Sequence, residues 1–364
     1  VYTLGIEYPA SYDWKRDTAY GNVGCRIVVF ANQKRILEAE AGPGTMLSAD
    51  PDMHRIWDGV LWSDWSDGSH TVISRNGEEA FRYEGNEMIC GFMVHGGAVH
   101  TLGRSRSGKG FSYRIDGELI LSDGNGIPVG DPYSTPEETG IMYLDQGEVC
   151  FGFRRNENGT DRWYAVRSGK AEPADCGVRL SEVFDIRYID GRLHMAGTSP
   201  SNGGRLVHVC EGVVDQLWRS EAKATHFCHI MPSEGKLFFY VGYVRLDGKT
   251  ESCLWKDRGS IISYGTDYAG FWVSEGQYAQ IALNSEGLLG TVRAGSGYWW
   301  FKDSLVLMSH QCVRYDEGVL LIAATPVRKE LSPVMWKNGR SLALTLHGYL
   351  GGIYASHGSI PEED

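Results

Sequence analysis

The sequence contains no run of about 18 apolar residues, so no segment reads as a membrane-crossing helix. Basic residues are not in excess: 35 Lys and Arg stand against 46 Asp and Glu, a formal net charge of -11. A nucleic-acid binder would need a basic face to neutralise phosphates, and that class is not expected. There is no C-x-x-C pair; Cys25, Cys90, Cys150, Cys176, Cys210, Cys228, Cys253 and Cys312 are scattered singly, most of them in apolar strand-like stretches. They read as buried small hydrophobes, and neither a zinc cluster nor a disulfide framework is expected. No metal or other cofactor is called for. Free thiols lean towards a reducing or anaerobic setting. The first residue is Val1, with no basic segment and apolar core before it, which predicts a processed or trimmed chain.

Tempting catalytic and ligand motifs also fail. Residues 103–109 imitate a phosphate loop, but position 110 is Gly where Ser or Thr must reach the metal. Asp123-Gly124-Asn125-Gly126 starts like a calcium loop and lacks the later bidentate acid. Residues 63–71 have the flavour of a sialidase aspartate box without its Asp-x-Gly order. There is no H-E-x-x-H and no G-x-S-x-G. Asn158-Gly159-Thr160 is a glycosylation sequon, which matters only in a eukaryotic secretory route.

What the chain does have is glycine, 47 residues beside only 12 prolines, with 12% aromatics and many short apolar runs. Hydrophobic residues make up 42% and charged ones 22%, enough to build a packed core. The runs are punctuated by tight polar turns that recur: Asn32-Gln33, Asn76-Gly77, Asp116-Gly117, Ser168-Gly169, Glu211-Gly212, Asp257-Arg258-Gly259, Lys302-Asp303 and Asn338-Gly339. Their spacing is 35 to 52 residues, about 44 on average. A second marker runs in phase, a glycine turn between two earlier β runs at Gly59, Gly97, Gly147, Gly191, Gly235, Gly287, Gly318 and Gly358. Asn-Gly and Asp-Gly supply the positive φ that a two-residue hairpin requires. Two turns per unit, plus longer links, give four strands per unit, here called a to d.

Four-stranded units of this length are the spacing of propeller blades. A small twisted sheet cannot bury both faces alone, so neighbours stack and the ring must close. The fold class expected is therefore all-β, a single β-propeller domain over residues 1–364. Its blades are expected at 348–358 plus 1–41, 52–84, 85–122, 138–175, 183–218, 224–264, 276–308 and 309–345. The chain opens on a b-like run, 1–7, with no a strand before it, and ends on an a-like run, 349–355, with nothing after it. The two ends thus complete one blade, which favours eight blades; seven follow if 52–84 is an insertion. A monomer is expected.

Residues 189–191 with 193–197, Leu254-Trp255-Lys256-Asp257 and Met335-Trp336-Lys337-Asn338-Gly339 resemble the uncharacterised β-propeller repeat proteins found widely among Bacteroidetes. The likeness is at the level of the fold and covers most of the chain, though 57–85 and 288–309 depart from the pattern. It implies an exported module, in the periplasm or at the cell surface, and brings no catalytic residues with it; a cytoplasmic address stays open because of the eight cysteines.

Loop lengths break the symmetry of the ring. The a-b and c-d turns are short, whereas the b-c and d-a connections at 9–24, 42–52, 103–110, 123–137, 156–161, 171–182 and 325–332 are long and share one face. Binding or chemistry is expected there. The start of strand a rings the channel mouth and offers His54, Asp185, His226, Gln277, Tyr278, His310 and Gln311. On the loops lie Tyr12, Trp14, Lys15, Arg16 and Tyr20, then Arg104, Arg106 and Lys109, with Tyr133 and Arg154. Aromatic rings stack on sugars and Arg forks meet carboxylates. Trp14, Arg16, Tyr20, Arg104, Arg106, Tyr133, Arg154, Asp185, His226 and His310 are accordingly the candidate ligand-binding set. The leading function is a non-enzymatic module presenting this face to a glycan or protein; the alternatives are, second, a glycan-active hydrolase or lyase at the channel mouth and, third, a purely structural scaffold. For the second, Asp185, Asp267, His226, His310 and Tyr268 are the first groups to test.

Overall fold

The computed structural model describes residues 1–13, 23–41, 54–57, 59–66, 69–85, 87–105, 110–129, 141–220, 222–257, 260–265, 268–283, 288–301, 305–308, 312–316, 319–327 and 331–354. Within them the fold is all-β: eight antiparallel sheets of four or five strands, the blades of a β-propeller, and one short 3-10 turn at Pro200–Asn202. Contacts divide the chain into two compact units, one of 1–86 with 272–364 and the other of 87–271.

The hairpins follow from turn chemistry. Asn32, Asn76, Asp116, Ser168, Glu211, Asp257 and Asn338, seven of the eight c-d markers, have φ between 40° and 52°. A left-handed residue with a Cβ costs about 1–2 kcal/mol, least for Asn and Asp. In four blades the turn side chain offsets that cost by capping strand b. The Oδ1 of Asn76, Asp116, Asp257 and Asn338 accepts the N–H of Leu61, Val99, Leu237 and Leu320, at 2.8 to 3.1 Å. The same turn residue donates its own N–H to the carbonyl of that partner. One short side chain therefore ties strands b, c and d together, which is why this residue type recurs at this spacing.

The blade built from both ends of the chain has the order 34–41, 25–31, 2–7, 348–354. Strand a, Gly348–Tyr354, pairs with strand b, Tyr2–Glu7, from Glu7↔Gly348 to Tyr2↔Tyr354, with a bulge after Leu4. Gly348 is required by a close approach: a Cβ there would sit 1.8 Å from the carbonyl oxygen of Ile6. Tyr349, Leu350 and Ile353 bury their side chains almost completely. Leu350 and Ile353 join Val28 and Phe30 in a cluster with Cys312, Leu321, Ala323 and Met335 of the eighth blade. On the other side Leu4, Ile27 and Val29 pack with Ile56 and Leu61 of the second.

Blade two spans His54–Trp57, Val60–Ser66, His70–Arg75 and Glu78–Glu84, so the count is eight and not seven. The seventh blade departs from the expected phase. Its strands are Tyr268–Ser274, Gln277–Leu283, Leu289–Ala294 and Gly297–Trp300. Its turns are at Glu275-Gly276 and Gly295 instead of Gly287 and Lys302-Asp303, which lie outside the described residues. The reason is that Ser-Glu-Gly at 274–276 and again at 285–287 offers the same turn chemistry twice, and only pairing chooses between them. In blade four, strands Glu148–Glu157 and Thr160–Arg167 continue to a two-residue hairpin at Asn158-Gly159, so no long b-c loop exists there. Residues Gly126–Val129, expected as loop, pair with 152–155 as part of that blade.

Candidate functional site

In the first blade the b-c and d-a ends meet at one rim. Strand b finishes at Glu7, strand c starts at Cys25, strand d, Lys34–Ala41, ends at Ala41, and His347 precedes strand a. These ends enclose a cleft of about 430 Å³ lined by Glu7, Tyr8, Pro9, Ala10, Gly24, Cys25, Arg26, Glu40 and His347. That is the size range of small-ligand clefts.

Its walls are held from within. The Tyr8 N–H donates to the His347 carbonyl (2.9 Å), and the His347 Nε2 meets the Tyr12 carbonyl (3.0 Å). The Tyr8 ring lies 5.2 Å from that of Tyr12 and 6.4 Å from that of Tyr349. Glu7 accepts from Arg26 (2.7 Å) and Arg35 (2.5 Å), and Glu38 accepts from the same two guanidiniums at 2.6 and 2.9 Å. The hydrogen bonds that Arg35 donates to Glu7 and Glu38 raise its pKa, and the one to Glu38 holds that exposed carboxyl low. Arg26 and Glu40 face each other in register across strands c and d. Yet Arg26 turns to Glu7 and Glu38, and no ion pair engages Glu40 among the described residues. Burial pushes the Cys25 thiol up, and the Glu40 charge adds to it. The cleft therefore offers a half-exposed guanidinium already oriented by carboxylates, an exposed carboxylate, and an imidazole edge. That set can donate to and accept from a hydroxyl-rich or zwitterionic ligand.

Of the sequence-derived candidates, Trp14, Arg16, Tyr20, Arg106, Tyr133 and His310 lie outside the described residues, as do Lys15, Lys109, Asp267 and Gln311. Arg104 is half-buried in strand Ala98–Ser105. Arg154 pairs with Asp161 (3.0 Å) beside the blade-four hairpin. His226 is exposed, its ring 6.1 Å from Phe227. Gln277 is exposed, Tyr278 and His54 are half-buried, and Tyr268 begins its strand. His54 Nδ1 meets the Ser63 hydroxyl at 2.9 Å, and burial pushes its pKa down to about 4.

Asp185, expected at the channel mouth, is buried. It is 2% exposed, at a bulge in strand Glu182–Ile189. Its Oδ2 accepts from Arg187 Nε (3.0 Å) and from the Ile230 N–H (2.8 Å), which stitches the fifth blade to the sixth. Arg187, equally buried, lies 4.8 Å over the Tyr143 ring of the fourth.

Arg26, Glu40 and His347 were not among the candidates. The available signal was adjacency: Arg26 follows the longest b-c excursion, and Glu40 precedes the d-a link at 42–52. His347 joins them only because the last strand pairs with the first.

A second polar cluster lies in blade five. Asp215 accepts from His208 Nδ1 (3.2 Å), His208 Nε2 meets His194 Nδ1 (3.0 Å), and His194 Nε2 meets Cys210 Sγ (3.4 Å). A carboxylate only accepts, so the tautomers follow: His208 and His194 each carry the proton on Nδ1, and the thiol donates. Burial, then the neighbouring His208, pushes the His194 pKa down to about 4. Burial also lowers His208 against the opposing pull of Asp215. Burial and then Glu211 raise the Cys210 thiol. Both imidazoles are neutral and the thiol is protonated: the relay is a packing device between strands b, c and d. Among the described residues no group of three His, Cys, Asp or Glu is arranged to hold a metal ion.

No family model matches the chain, and no curated protein matches it. Among solved structures it is similar to the β-propeller domain of the trilobed protease from Pyrococcus furiosus (TM-score 0.48, 13% identity, covering 83% of this chain and 95% of that one). It is also similar to the dihydro-heme d1 dehydrogenase NirN (0.46, 9%, 96% and 74%) and to an acylaminoacyl peptidase of Pyrococcus horikoshii (0.45, 11%, 83% and 51%).

Proposed function

We propose that the protein is a non-enzymatic binding module that presents the long-loop rim of its propeller to a glycan or protein partner. The contact is centred on the first-blade cleft. The observation that carries this reading is that one cleft brings together Arg26, pre-oriented by Glu7 and Glu38, and the exposed Glu40 carboxylate, where the stretch of chain that bears Trp14, Arg16 and Tyr20 begins and ends. Orientation of the guanidinium by Glu7 and Glu38 lowers the entropy a ligand must overcome on binding. The resemblance to Bacteroidetes propeller repeats supports an exported setting for such a module, which cell fractionation with an antibody to the chain would test.

A glycan array run beside a reducing-end release assay on the same oligosaccharides tests the function. Saturable binding without turnover, weakened about tenfold by Glu40→Gln and lost in Trp14→Ala, is the expected result. Release of product from any array hit, abolished by His226→Ala, overturns it in favour of the hydrolase or lyase reading.

A further inference from the structure

The seventh blade carries a surface that the rim does not use. Along its strands the side chains alternate between faces. Ala279, Ile281, Val292 and Ala294 are buried on one face, and Trp299 joins them by packing its ring 5.1 Å from that of Trp336. The opposite face is different. Registers Gln280↔Arg293, Arg293↔Tyr298 and Thr291↔Trp300 bring these side chains together across strands b, c and d, with Tyr278 two residues before Gln280. Trp300 is 71% exposed and Tyr298 53%. Trp299 already fills the core position in this strand, so Trp300 is not a displaced core residue.

The exposed aromatics are held in place. Tyr298 and Trp300 meet edge to face, centroids 5.6 Å apart at 74°. The Arg293 guanidinium lies 5.6 Å over the Tyr278 ring, and no carboxylate pairs with it among the described residues. The strip spans three strands, roughly 10 Å, and two residues along the edge strand, roughly 7 Å. Its one aliphatic side chain is the small Ala282, in register with Thr291; the rest is aromatic rings, an amide, a hydroxyl and a cation with no carboxylate partner among the described residues. That chemistry suits a partner with a flat C–H face, many hydroxyls and a sparse negative charge. A nucleic acid would need a basic face, whereas this strip has one cation on a chain of net charge -11. An apolar protein surface would leave Arg293 desolvated without a partner.

We propose that this face of the seventh blade is a second binding surface, whose occupant is a glycan bearing occasional uronic acids. A pyranose stacks on Trp300, and the carboxylate of a neighbouring sugar meets Arg293. The surface is independent of the first-blade cleft.

Affinity electrophoresis of the full chain in gels containing glucuronoxylan, or the same xylan with its carboxyl groups reduced, tests this. The wild type is expected to be retarded by glucuronoxylan and retarded at least tenfold less by the reduced polymer. Trp300→Ala is expected to abolish retardation in both gels. Arg293→Gln is expected to bring retardation in glucuronoxylan down to the level of the reduced polymer, and Lys170→Ala, which removes an exposed cation of the fourth blade, to leave it unchanged. Both blade-seven side chains are exposed, so unchanged melting temperatures are expected and separate binding from folding. The proposal is overturned by any of three results: no retardation of the wild type, wild-type retardation of Trp300→Ala, or indifference of Arg293→Gln to the carboxyl groups. A shift of oligomeric state on Trp300→Ala, read by size-exclusion chromatography without any change in retardation, would also overturn it, by assigning the face to a second copy of the chain.

Discussion

Replacing Asp185 by Ala discriminates most sharply between a catalytic acid and a structural one. The carboxylate is 2% exposed and makes two bonds, to Arg187 Nε and to the Ile230 N–H. Its removal takes the Asp185 ion pair from the buried Arg187 guanidinium and the carboxylate acceptor from the buried Ile230 N–H. Breaking a buried pair from one side costs about 3–5 kcal/mol, because the remaining charge stays desolvated. The cation-π contact with Tyr143 retains part of the Arg187 interaction and sets the lower end of that range. With an unfolding entropy of about 2.1 cal/mol/K per residue over the whole chain, the melting temperature falls by roughly 4–7 °C. The double variant Asp185→Leu with Arg187→Met removes both charges and recovers most of the loss. Urea unfolding at pH 7 followed by far-UV circular dichroism measures all three proteins. The reasoning fails if Asp185→Ala unfolds within about 1 kcal/mol of the wild type, or if the double variant is the least stable of the three.

Acid sensitivity should trace to the blade-five relay. His194 is neutral when folded, so below about pH 6.5 the unfolded chain binds more protons. Its contribution is full above that value and is lost as the pH falls towards its folded value of about 4, by about 2.5 kcal/mol at pH 4.5. His194→Gln should therefore lose less stability than wild type between pH 7 and 4.5; identical losses in urea titrations would refute the burial argument. A chain ending at residue 347 lacks Tyr349, Leu350 and Ile353, worth roughly 5–9 kcal/mol of burial together. It should aggregate or lose its cooperative melt, and a wild-type transition by calorimetry would sink the closure claim. Gly348→Ala, with its Cβ driven onto the Ile6 carbonyl, should cost about 1–3 kcal/mol, read as a lower urea midpoint. All eight cysteines are free, and only Cys210 is more than marginally accessible. A disulfide reagent should thus label it first in the native protein and all eight in denaturant, as intact mass would record; prior labelling of Cys228 would contradict the burial pattern.

The repeat was readable in the chain because the c-d turns demand a residue that tolerates positive φ, and in four blades that residue also caps strand b. Asn76, Asp116, Asp257 and Asn338 do both with one side chain. Such local demands leave a residue type at a spacing, and from them came the four-stranded units, the count of eight and the completion of one blade by both termini. Where the local signal was duplicated, at 274–276 and 285–287, only strand pairing could choose, and the seventh blade came out in another phase. The burial of Asp185, the meeting of Arg26, Glu40 and His347, and the exposed aromatics around Trp300 leave no mark of their own. Each depends on which distant strand lies alongside, and side-chain direction reverses with a single residue of register. Composition and spacing determined the blades; the pairing of strands far apart in the chain decided which polar groups were buried together and which were left facing water.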